Sequence, residues 1–113
     1  MLVTQILKTK GDLVFTATPH DTVAAICALL HSRKVGAMVV LDGEAVAGIV
    51  SERDMVRAVA EGGASALSQP VSAFMTRDVV FASPAESVDR LLEQMTDRRI
   101  RHLPVVEKGR LLG

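Results

Sequence analysis

Pro19, Val23, Arg33, Val40 and Gly48 return as Pro84, Val88, Arg98, Val105 and Gly113, each 65 residues later. One offset shared by a helix start, a helix face, a strand and a strand glycine marks a duplicated folding unit. Duplication constrains the fold more than any local propensity does, because both copies must satisfy one plan. In a chain of 113 residues it also leaves each copy little core of its own.

The plan reads as strand, helix, strand, strand, helix. Residues 2–10 form an arm with one short helical turn, and residues 13–17 a strand. Thr18-Pro19-His20-Asp21 carries a helix-opening pattern, with Thr18 as N-cap, Pro19 at N1 and Asp21 at N3. Val23, Ile26, Cys27 and Leu30 then fall at i, i+3, i+4 and i+7 on one helix face. Residues 37–41 are a continuous apolar run, short enough for a buried strand. Asp42-Gly43-Glu44 reads as a hairpin turn and residues 45–50 as the returning strand. Residues 52–60 read as a second helix with Met55, Val56 and Val59 facing inward. A Gly-, Ala- and Ser-rich linker follows, which places a first repeat at 1–61, the linker at 62–70 and a second repeat at 71–113.

In the second repeat, residues 71–75 echo the arm and residues 79–82 a strand. Ser83-Pro84-Ala85-Glu86 reads as a capping box, and Val88, Leu91, Leu92 and Met95 repeat the apolar spacing. Residues 103–106, the turn Glu107-Lys108-Gly109 and residues 110–112 mirror the hairpin. The counterpart of Asp54 would stand at 54 + 65 = 119, so the second copy stops short of its last helix. The expected fold is therefore α+β, with tandem β-α-β-β-α repeats about a pseudo-twofold axis and the second repeat truncated. A missing helix is expected to leave apolar sheet uncovered.

The 13 acidic and 13 basic residues balance, which argues against a general nucleic-acid or anionic-membrane binder. The single cysteine, Cys27, excludes an internal disulfide framework and fits a reducing compartment. No apolar run approaches the ~20 residues that span a bilayer, and the first residues do not read as a signal peptide. The expected location is the cytoplasm. His20, His31 and Cys27 do not make a metal-ligand set.

Chemistry concentrates at Gly48-Ile49-Val50-Ser51-Glu52-Arg53-Asp54. It begins as a strand and ends in the first turn of a helix, with Ser51 at the N-cap and Asp54 at N3. One reading is a cap and nothing more. The other is a ligand site, because a helix start favours phosphate and a carboxylate can accept from both hydroxyls of a ribose. At the head of the inner strand the second repeat has Arg101-His102, where the first has Gly36-Ala37. That pair offers donors to phosphate. If the repeats face one another, a nucleotide would lie in the cleft between them. Asp54 would hold its ribose, Ser51, Arg53, Arg101 and His102 its phosphates, and Val14, Ala37, Met38 and Ile49 its base. One competent cleft per chain is expected. There is no nucleophile–base pair, metal set or phosphate-gripping glycine loop, so no catalysis is expected.

The Gly48-to-Asp54 stretch, the paired Thr/Ser-Pro helix starts and Arg98-Arg-Ile-Arg-His-Leu-Pro-Val-Val106 resemble the cystathionine-β-synthase (CBS) domain pair, also called a Bateman module, of the stand-alone type. The resemblance spans essentially the whole chain. It implies a duplicated β-α-β-β-α unit and a regulatory module for AMP, ADP, ATP or another adenosyl compound, with no required cofactor. It also implies ribose binding at Asp54, a Ser51 hydroxyl near ribose or phosphate, and phosphate contact at Arg101 and His102. Such modules pair into a flat dimeric disc, so a homodimer and a regulated protein partner are implied. An alternative is a ligand-free dimerisation or protein-interaction module.

Overall fold

β-Branched residues at Val39, Val40, Ile49 and Val50 meet in a central hairpin, the sheet-forming part of the first repeat. The computed structural model describes residues 1–11 and 13–113. The elements run α1 (Val3–Lys10), β1 (Thr16–Ala17), α2 (Val23–Arg33), β2 (Ala37–Asp42), β3 (Ala45–Ser51), α3 (Glu52–Gly62), α4 (Val88–Arg98), β4 (Val106–Glu107) and β5 (Arg110–Leu111), with 3-10 turns at Gly63–Ser68 and Val71–Ala73. The fold is α+β with the duplicated order that the offset demands.

The chain divides into two units, one made of Phe15–Val79 and the other of Met1–Val14 with Val80–Gly113. The arm before the first repeat thus belongs to the body of the second, and the segment opening the second belongs to the body of the first. The hydrogen bonds that do this are the same in both units. Val3 and Thr4 donate from their N–H groups to the carbonyls of Glu86 and Pro84, at 3.0 and 3.1 Å, and Val88 N–H donates to Met1 at 2.9 Å. Val71 and Ser72 donate to Asp21 and Pro19, at 2.7 and 3.2 Å, and Val23 N–H donates to Gln69 at 2.9 Å. The two arms correspond with an offset of 68, the bodies with 65.

These bonds correct the expected helix starts. Helices α2 and α4 begin at Val23 and Val88, capped by Thr22 and Ser87, not at Pro19 and Pro84. The Thr18 and Ser83 patterns close one turn only: Thr18 N–H donates to Asp21 Oδ2 at 2.9 Å and Ser83 N–H to Glu86 Oε1 at 3.0 Å. A helix from Pro19 would bond its carbonyl to Val23 N–H. Here that carbonyl takes Ser72 and that N–H goes to Gln69, so the helix cannot propagate through them. Lys34 and Arg99 end the helices in the left-handed region, both at φ 55°.

In Phe15–Val79, β1 pairs parallel with β2 and β2 antiparallel with β3. Val40 pairs with Gly48 and Leu41 with Val46, leaving Ala47 as a bulge. The core joins Val23, Ile26 and Leu30 of α2 to Val40, Val50, Met55, Ala58 and Val71. Each such aliphatic side chain contributes roughly 1.5–3 kcal/mol on burial. On α3 the inward face is Met55 and Ala58. Val56 and Val59, expected inward, are 69% and 42% exposed. The buried stripe instead takes Asp54 at its head, which turns those valines outward. Gly63–Ser68, read as linker, packs on α2 and α3 and buries Ala66.

The second repeat keeps the plan with thinner strands. Ala82 N–H donates to the Pro104 carbonyl and Val106 N–H to Ala82, both at 2.9 Å. Pro104 stands where the first repeat has Val39 and brings no N–H to a ladder, so β4 starts only at Val106. Val105 N–H donates to the Gly113 carbonyl, and the Val105 carbonyl accepts from Leu112 N–H, which makes Leu112 the counterpart of the Ala47 bulge. The core here is Val3, Ala82, Leu91 and Val105. Leu92, expected on the apolar face of α4, is exposed.

Reciprocal docking makes a differential prediction. Val3→Ala is expected to remove about 2 kcal/mol of local stability from the unit that contains Leu91 and Val105. Val71→Ala is expected to do the same to the unit that contains Ile26 and Val40. Amide hydrogen exchange resolved by residue checks which set of amides loses protection in each variant.

Candidate functional site

Asp54 is the charged residue that the described part of the chain buries, at 7% exposure. Its position follows from the strand-to-helix corner at Ser51. Ser51 holds extended backbone, φ −118°, and α3 starts at the next residue. The Asp54 N–H donates to Ser51 Oγ at 3.2 Å. In return Asp54 Oδ2 accepts from Ser51 N–H at 2.8 Å and from the Ser51 hydroxyl at 3.1 Å. This is a closed capping box with aspartate in place of glutamate. Glu52 N–H donates to the Gly36 carbonyl at 3.0 Å, tying the helix start to the head of β2. The cap therefore uses several of the donors that a helix start offers to an anion.

The second carboxylate oxygen is held from the other side. Arg57, one turn along α3, places a guanidinium nitrogen 3.3 Å from Asp54 Oδ1. The same nitrogen donates to the Phe74 carbonyl at 2.8 Å. Ile49 exchanges two backbone hydrogen bonds with Thr76, both 2.9 Å, which closes the outer edge of β3. Gly48 permits this approach. A Cβ there would stand 2.7 Å from the Thr76 carbonyl oxygen and 2.8 Å from Met75 Sδ. The chain's own segment at Met75 and Thr76 makes the close approach at this glycine.

Of the sequence-derived candidates, Ala37, Met38, Ile49, Ser51, Arg53 and Asp54 gather at one end of the β2–β3 hairpin and the start of α3. Cα pairing of Ala37 with Ser51 and of Val39 with Ile49 puts those four side chains on one sheet face. Met38, paired with Val50, lies on the other face and in the helix-packed core, so Val39 is the residue that shares a face with Ala37 and Ile49. The period-two alternation would have found Val39; an i, i+3 search from Asp54 would have found Arg57. Nothing local to residue 76 announces its pairing with β3. Arg53 is exposed. Val14, Arg101 and His102 belong to the other unit, Val14 half-buried and the other two exposed just after the left-handed residue Arg99. Among the described residues neither Arg101 nor His102 has a side-chain partner.

A family model described as CBS domain matches residues 11–61 and 71–113. The chain belongs to the CBS-domain family. The mitochondrial CBS domain-containing protein CBSX3 of Arabidopsis thaliana is 32% identical over 120 residues, covering 98% of this chain. The chain spans 58% of that relative's length. The crystal structure of the CBS-domain containing protein ATU1752 from Agrobacterium tumefaciens is 44% identical and superposes with a TM-score of 0.96, covering all of this chain and 90% of that one. The CBS domain pair of protein MJ0100, solved in complex with 5′-methylthioadenosine and S-adenosyl-L-methionine, shares the fold at a TM-score of 0.88 and 24% identity, covering all of this chain and 86% of that one. Among the described residues of this CBS-domain chain, no three His, Cys, Asp or Glu side chains gather as metal ligands, and no helix is long and apolar enough to cross a membrane.

The cap can be weighed separately from any ligand. Ser51→Ala removes the Oγ that accepts from Asp54 N–H and is expected to cost about 1 kcal/mol. Asp54→Asn keeps an acceptor for Ser51 N–H and is expected to cost less. Urea denaturation midpoints at constant m-value give both numbers.

Proposed function

We propose that this CBS-domain chain is a non-catalytic sensor for an adenosyl compound such as AMP, ADP, ATP or S-adenosylmethionine. The observation that carries the reading is the burial of Asp54. Thr22 and Ser87 cap their helices with neutral hydroxyls, so capping alone does not call for a buried carboxylate. Burying one costs desolvation that a cap does not require. A carboxylate already oriented at the foot of an apolar sheet face suits the paired hydroxyls of a ribose, as in other nucleotide sites. In this reading Ala37, Ile49 and Val39 flank the base, and Met38 supports the strand from the core side. Ser51, Arg53, Arg101 and His102 serve the phosphates where the ligand has them. The solved complex of the MJ0100 pair with two adenosyl compounds supports the ligand class. Ser51 Oγ is committed to the cap, which leaves no activated nucleophile in the site. Ligand would act by favouring one conformation of the chain and passing that preference to a regulated protein.

Calorimetric titration of the purified chain with AMP, ADP, ATP and S-adenosylmethionine tests this. Saturable binding by at least one is expected. Asp54→Ala and Arg101→Ala should each weaken it by about tenfold or more, the size of one charge-assisted hydrogen bond. No heat from any of the four, or normal binding by both variants, would remove the reading.

A second reading rests on Val56 and Val59, neighbouring apolar side chains on the outer face of α3. They favour a protein-interaction role, with a second copy as the simplest partner. A dimer in light scattering that persists without nucleotide, and that Val56→Glu dissociates, would support it.

A further inference from the structure

Arg57 stands outside every role assigned so far, yet a single one of its nitrogens touches two separate parts of the fold. It lies 3.3 Å from Asp54 Oδ1 and 2.8 Å from the Phe74 carbonyl oxygen. Phe74 ends the 3-10 turn Val71–Ala73, on the segment that docks on the first repeat's body and continues to Thr76, the residue paired with Ile49. We infer that Arg57 is a positioning residue that couples the Asp54 carboxylate to the docked segment of residues 71–76.

The two ends of the contact differ in freedom. The Asp54 side chain is 10% exposed and its Oδ2 is engaged by Ser51, so the carboxylate has one rotamer open to it. The Arg57 side chain is 48% exposed and rests on no other hydrogen-bond partner among the described residues. Its position is therefore set by Asp54 and Phe74 together. That terminal nitrogen carries two N–H groups in the rigid guanidinium plane, so it can face both acceptors at once, and displacing one acceptor moves the group relative to the other. A hydroxyl that takes up the remaining acceptor capacity of Asp54 Oδ1 would shift Arg57 along this line and alter its grip on Phe74. That grip bears on Met75 and Thr76, and through them on Ile49, whose backbone N–H and carbonyl both bond Thr76. By linkage, whatever steadies the segment also prepares Asp54 for its ligand. This ligand-dependent half rests on the adenosyl reading above; the coupling between Asp54 and the segment does not.

Residue-resolved amide exchange tests both halves. In the ligand-free chain, Arg57→Ala is expected to speed exchange at Thr76 and Ile49 about tenfold, the effect of losing one tethering bond, while Ile26 and Val40 stay protected as a check on folding. Asp54→Asn keeps the cap and should speed the same two amides. The double variant should be no faster than Arg57→Ala alone, and Arg57→Lys should recover part of the protection. If Asp54→Asn leaves Thr76 and Ile49 unchanged, or if the two variants act additively, the coupling is wrong and Arg57 is only a tether. In the second arm 5′-AMP is the probe. It should change Thr76 and Ile49 exchange in the wild type, and Arg57→Ala should bind it about tenfold more weakly. Equal affinity for AMP in wild type and Arg57→Ala would overturn the ligand-dependent half. Absence of AMP binding in the wild type would count against the nucleotide reading, and the ligand-free arm would still decide the coupling.

Discussion

Backbone hydrogen bonds between each arm and the opposite repeat's turn govern what the other elements can do. The carbonyls of Pro19 and Asp21 accept from Ser72 and Val71, and those of Pro84 and Glu86 accept from Thr4 and Val3. These carbonyls sit in tight turns directly before helices, where their natural partners would be helical N–H groups. Giving them to the arms displaces the helix starts by one turn and sets the helices' first residues against the arms. It also places Val71 in the core of Phe15–Val79, and Val3 in a core whose other buried residues come from Val80–Gly113. A small duplicated unit has too little apolar surface to close a core alone. Docking the arm of the other sequence repeat supplies what is missing.

The same exchange closes the sheet edge. Thr76 pairs with Ile49 and Met75 lies over Gly48, so the outer edge of β3 presents no unpaired ladder there. The second unit repeats the relation with Leu7 over Gly113, where an added Cβ would again meet the arm's side chain. In both units the glycine is the point at which a bulged strand admits its neighbour's arm. The corner at Ser51 follows from this frame. With β3 held on both edges, its last residue can take extended geometry and cap α3, and the cap presents Asp54 inward rather than to solvent.

Burial and polar contacts act together on Asp54 at that corner. The capping box accounts for Oδ2, and Arg57 accounts for part of Oδ1. The place of Asp54 at the head of the buried face of α3, with Met55 and Ala58, leaves the charge at 7% exposure.

The repeat, the α+β order, the hairpin at Gly43-Glu44, the inward faces of α2 and the Ser51–Asp54 cap were all legible in the residues, because each depends on contacts a few positions apart or on a fixed period. Sequence alone therefore determined the element order and the location of the candidate corner. Only tertiary structure decided where α2 and α4 begin, which body each arm joins, that Val56 and Val59 face outward, and that Thr76 borders the corner. The reason is physical. A capping pattern such as Thr18-Pro19-His20-Asp21 specifies one turn, but whether that turn grows into a helix depends on which N–H groups reach its carbonyls, and those come from residues about fifty positions away.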